Sequence, residues 1–134
     1  MENTAVAVRG GNTINAVCSL SAETKEDKAK LFRIMNNPDK RLSDCINETL
    51  EITDVYIEPV QVENQATGEQ EIAPRIVLID KDGTSYQCVS IGIYSALQKI
   101  ISLFGEPTWK EPMPLKVLNI KKDKKQMLTL DVMF

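Results

Sequence analysis

Between residues 75 and 107 the chain is punctuated so closely that the local order of its elements is nearly forced. Arg75 to Asp80 is an apolar run of strand length, and Lys81-Asp82-Gly83 follows it. Asp-Gly supplies the positive φ that tight hairpin turns require, so Thr84 to Val89, where Tyr86 and Cys88 alternate with Gln87 and Val89, reads as the returning strand. Ser90 then offers a hydroxyl to cap a helix, and Ile93, Leu97, Ile100, Ile101 and Phe104 recur at helical spacing. Gly105 stands just past the last of them and Pro107 follows, a complete stop. A strand, a hairpin turn, a strand and a helix are therefore expected in that order.

The flanking segments extend this pattern. Ile46 to Val62 reads as a strand, with Leu50, Ile52, Asp54, Tyr56 and Glu58 expected on one face and Thr49, Val55 and Ile57 on the other. Pro59 marks an edge or the strand's end, and a polar turn around Ala66-Thr67-Gly68 leads towards Arg75. After a Pro-rich connector from Glu106 to Pro114, Leu115 to Lys121 and Gln126 to Phe134 read as two strands about a lysine-rich turn. Upstream, one strand is expected within Asn12 to Leu20. A short helix follows, capped by Ser21 or Thr24 and stopped by Asn36-Asn37-Pro38. Leu31, Phe32 and Met35 form its narrow apolar face, while Lys28, Arg33 and Lys25 make it basic on the other.

Three strands, a helix and two more strands is the order of the OB-fold, a five-stranded Greek-key barrel with its helix between strands 3 and 4. The expectation is a mainly β protein of one domain, 1–134. Residues 46–134 would be the barrel core, and 1–45 an N-terminal extension with a strand and a short helix. A chain of 134 residues can bury such a core without disulfides or metal.

Histidine is absent, which removes the commonest general base, every Ser-His or Cys-His pair and almost all zinc chemistry. Cys18, Cys45 and Cys88 lie far apart. Their odd number, without a secretory signal, points to a reduced, cytoplasmic compartment. No apolar run is long enough for a membrane span. The net charge of −3 hides a segregation. Asp44 to Asp82 holds ten acidic residues against Arg75 and Lys81 alone, whereas Trp109 to Phe134 holds six lysines against three acids. An acidic total is thus compatible with a local basic strip.

Catalytic motifs are missing: there is no GxxxxGK[ST] phosphate loop and no GxSxG elbow. A magnesium site can be drawn from Asp44, Glu48 and Asp54, but acidic residues on solvent-facing strand positions are far more often solubilising. Cys88, in an apolar strand, reads as a small core residue. No enzyme, metal or cofactor is expected. Binding needs less: rings on which bases stack and cations that follow phosphates. Seven aromatics exist. Tyr56, in the first barrel strand, and Tyr86, in the third, fall on alternating strand positions and serve either the core or a stacking surface. Trp109, in a Pro-rich loop beside Lys110, either stacks or covers the helix end, and the cover is the favoured role. Phe32 and Phe104 follow apolar helix faces and are read as core, with Tyr94 partly buried.

Three stretches carry a resemblance. They are Thr67-Gly68-Glu69, then Arg75-x-x-Leu78-x-Asp80-x-Asp82-Gly83-x-x-Tyr86-x-x-Val89-Ser90-x-Gly92, then Phe104-Gly105-Glu106-Pro107-Thr108-Trp109. In order and spacing they resemble the small single-stranded DNA-binding proteins of phages, and related conjugative elements, of Gram-positive bacteria. The similarity covers about 46–134. It implies an OB-fold and coating of single-stranded DNA without strong sequence preference, in replication, recombination or transfer of a mobile element in the host cytoplasm. It also implies cooperative self-association on DNA, and base stacking by the strand tyrosines matching Tyr56 and Tyr86. The chain departs from the cellular bacterial proteins of similar function, whose glycine-rich linker and acidic tip do not occur in it.

The expected DNA-binding residues are therefore Tyr56, Tyr86, Arg75, Lys116, Lys121, Lys122, Lys124, Lys125 and Trp109, with Lys40 and Arg41 as further candidates. The rival reading is a small protein-interaction module, an inhibitor or DNA mimic, whose working face is the acidic segment 44–82.

Overall fold

The computed structural model describes residues 2–7, 13–122 and 125–134; Asn12 and Lys124, both used in the sequence reading, lie outside them. Its eight strands are β1 (Glu2–Ala7), β2 (Thr13–Cys18), β3 (Lys40–Arg41), β4 (Thr49–Glu63), β5 (Gln70–Asp80), β6 (Ser85–Val89), β7 (Met113–Lys122) and β8 (Lys125–Val132). Its two helices are α1 (Lys25–Asn36) and α2 (Ile91–Phe104), with a 3-10 turn over Leu42–Cys45. All strands join in one sheet, antiparallel except where β3 runs parallel to β6. The protein is mainly β, a curled mixed sheet with two helices.

β4 organises the sheet because it has more edge than one partner uses. From Ile52 to Glu63 it pairs with β5. Its other edge is divided, with Thr49 to Ile52 paired to β7 and Tyr56 and Ile57 paired to β2. The gap between those partners is filled by loop backbone: Trp109 N donates to Thr53 O at 2.9 Å and Ser19 N to Val55 O at 3.2 Å. Asp54 ties the same point together, accepting from Ser19 Oγ at 3.0 Å and from Thr108 Oγ1 at 2.6 Å.

The expected face assignment along β4 fails at this gap. The β4–β5 register slips between Ile52 and Asp54, a bulge that adds one residue and inverts the alternation beyond it. Leu50 and Ile52 therefore share the interior with Val55 and Ile57, not with Tyr56. Strict period two placed them with Tyr56 and Glu58 because a bulge leaves no compositional mark.

The β5–β6 hairpin forms where Asp-Gly predicted it. Gly83, at φ 86°, donates to Asp80 O at 3.0 Å, and Asp80 Oδ1 accepts from the amides of Asp82 and Thr84. Ser90 Oγ accepts from Ile93 N at 3.2 Å to open α2, and Gly105 N bonds to Ile101 O at its end. Gly92 lets the first turn of α2 abut β8, since a Cβ there would collide with the Leu128 carbonyl oxygen and the Met127 side chain. α2 thus lies against β8 and buries Ile93, Leu97 and Ile100 beneath it.

The β1–β2 hairpin goes beyond the single strand expected near the N-terminus. α1, capped by Thr24 through Asp27 N, crosses the outer face of the sheet and packs Leu31 and Ile34 on Tyr56, Val77 and Ile79. Two expectations of burial fail. Phe32 is 64% exposed, because the helix seats on Leu31 and Ile34 and one residue is a rotation of about 100°. Phe104 is 47% exposed, in a last turn of α2 that runs past the core and meets Phe134 with ring centroids 5.8 Å apart.

Candidate functional site

Arg75 sits on the outer face of β5, directly across from Glu58 on β4. Its guanidinium donates from Nη1 to Glu58 Oε1 at 3.2 Å and from Nη2 to Gln87 Oε1 at 3.4 Å, so one cation spans three adjacent strands. Glu58 also accepts from the Tyr56 hydroxyl at 2.7 Å. Burial, and then the neighbouring Glu58 carboxylate, raise the Tyr56 phenol above its usual range. Tyr56 itself is only 8% exposed, since α1 lies over it. Its remaining edge borders a groove of about 690 Å³ shared with Leu31, Met35 and the 18–23 segment.

Tyr56 and Tyr86 do not form one platform. Tyr56 stands opposite Val77 and Tyr86 opposite Leu78, and consecutive residues of a strand point to opposite faces. Tyr86 belongs to the interior, is 6% exposed and donates its hydroxyl to Asp80 Oδ2 at 2.8 Å. Burial and that carboxylate raise its phenol as well. Lys40 Nζ stands 6.0 Å from its ring centroid, and Arg41 pairs with Asp44 at 3.6 Å. Both cations line a second groove that includes Cys45 and Glu48. Burial, and next Glu48, push the Cys45 thiol upward.

Five of the residues that carried the resemblance are frame residues. Asp80, Gly83, Ser90, Gly92 and Gly105 set the turn, the caps and the close approach of α2 to β8. The family model of Phi29-type phage single-stranded DNA-binding proteins matches residues 11–133. The chain belongs to that family. No curated protein and no solved structure matches it significantly.

For a phage single-stranded DNA-binding protein, the remaining expected contacts are widely spaced. Lys116 on β7 stands across from Thr49 and Asp131, while Arg75 stands across from Glu58. Thr49 and Glu58 are nine residues apart on β4, roughly 30 Å of strand. Lys121 is exposed near the end of β7, Lys122 and Lys125 oppose each other in its last register pair, and Lys124 lies outside the described residues. Trp109 is buried and its Nε1 donates to Gly105 O at 3.0 Å, the covering position at the end of α2. The sequence reading missed Glu58 and Gln87 as the partners of Arg75. Only the β4–β5–β6 register brings them together, and no local motif encodes it.

Proposed function

We propose that this family member coats single-stranded DNA along the outer face of β5 and β6, with the strand continuing towards the lysine-rich β7–β8 turn. The observation that carries the reading is the family match over 11–133, joined to a cation, Arg75, centred on an outer sheet face. Strands β4 to β8 with α2 are read as an OB-type barrel and 46–134 as its core, within one domain spanning 1–134. In such barrels the face of the second and third strands and the last hairpin loop hold oligonucleotides.

In this reading Arg75, Lys116, Lys121, Lys122, Lys124 and Lys125 hold phosphates. Tyr56 offers its free edge to a base in the adjoining groove. Tyr86 and Trp109 shape the surface from beneath, as their burial favours. The protein acts without cofactor in the host cytoplasm wherever replication, recombination or transfer exposes single strands, and copies associate along the DNA.

The test is a titration with a dT oligonucleotide and with duplex DNA across a salt series. Single strands should bind in preference, with log K falling about 0.7 per phosphate neutralised for each unit of log salt. Equal binding of the duplex, or no binding of dT at low salt, would refute it.

A further inference from the structure

We infer that α1 is part of the DNA-binding surface, with Phe32 stacking a base and Lys25 and Lys28 holding the phosphates beside it. Lys25, Lys28, Phe32 and Met35 recur at i, i+3, i+7 and i+10, which sets them on one stripe of the helix. All four are exposed, and Phe32 and Met35 are the two exposed large apolar side chains on α1. The stripe has no carboxylate of its own. Glu26 falls on the far side of the helix, and Asp27 is turned to Ser21 Oγ at 3.1 Å.

Neither lysine has a carboxylate within salt-bridge distance among the described residues, whereas Arg41 and Arg75 are both paired. A surface of unpaired cations interleaved with an exposed ring complements a polyanion that carries stackable bases. A second copy meeting this stripe with its own would instead set lysine against lysine. The stripe is also continuous with the proposed path. Met35 shares its groove with Tyr56, and beyond Tyr56 on the same sheet face lie Glu58, Arg75 and Gln87. Glu23 lines the same groove, and with Glu26 and Asp27 it is one of three acids at the N-terminal end of the helix.

This inference rests on the single-stranded DNA reading, and the experiment separates the two. The full chain, Phe32→Ala, Phe32→Trp, a Lys25→Gln/Lys28→Gln double variant and Leu103→Ala are titrated with a dT oligonucleotide over a salt series. Loss of one base stack should weaken Phe32→Ala about ten-fold. Phe32→Trp should restore binding, and the thermal midpoint should not move, because the ring is largely in solvent. The double lysine variant should flatten the salt slope by about 1.4. Leu103, 79% exposed on α2, should be dispensable. A parent that binds while Phe32→Ala and the lysine variant bind equally well overturns the role of α1 alone. An equal loss in Leu103→Ala also overturns it, by moving the strand to the other side. A parent that does not bind overturns both readings.

Discussion

Arg75 and Glu58 face each other across β4 and β5, 3.2 Å apart from Nη1 to Oε1, on the outer face of the sheet. The pair holds a cation in place while masking its charge. Glu58→Gln keeps an acceptor for Arg75 and Tyr56 but removes the negative charge. Affinity for single-stranded DNA should rise severalfold at low salt, and the salt slope should steepen by up to about 0.7 as the charge of Arg75 is freed for the phosphate it holds. Unchanged affinity and slope would remove Arg75 from the strand path.

Tyr86 separates a framework role from a stacking one. Tyr86→Phe deletes the hydroxyl that donates to Asp80, a charge-assisted bond whose loss costs about 1–3 kcal/mol of stability. Tyr86→Ala also opens a cavity and should cost about 3–5 kcal/mol. The expected result in urea unfolding is a lowered midpoint, with DNA affinity of the folded variant within twofold of the parent. Full stability with a large loss of affinity would instead make Tyr86 a stacking residue.

Gly92 tests the seat of α2 on β8. Alanine in place of glycine within a helix ordinarily stabilises by about 1 kcal/mol. Here the added Cβ meets the Leu128 carbonyl and Met127, so Gly92→Ala should destabilise by about 1–3 kcal/mol. A stabilised variant in denaturant unfolding would contradict the close approach of the helix.

Alkaline pH should unfold the protein in a defined direction. Burial pushes the Cys88 thiol up to about 12, while the unfolded chain releases that proton near 9. Between those values the folded state holds the extra proton, so stability falls as pH rises, by up to about 1.4 kcal/mol per unit for this group. Tyr56 and Tyr86, also raised, add to the loss above about pH 10. Cys88→Ala should flatten the decline between pH 9 and 10 in thermal melts. An unaltered profile would show that Cys88 is not desolvated.

The β5–β6 hairpin and α2 were legible because each is fixed within a few residues. Asp-Gly makes its turn, Ser90 caps its own helix, and Gly105 ends it, all through bonds of short sequence range. The absence of histidine and the lysines of the last hairpin likewise favour binding over catalysis on composition alone. What depends on partners distant in sequence was not legible. The bulge at Thr53 arises where β4 passes from β7 to β2, and it decides which side chains of β4 face the core. The seat of α1 on Tyr56, Val77 and Ile79 decides that Ile34 is buried and Phe32 is not. Register alone sends Tyr56 outward and Tyr86 inward and pairs Arg75 with Glu58. Turns and caps are short-range hydrogen bonding and can be read residue by residue. Face and register depend on which surfaces meet across the chain, and only the folded molecule decides that.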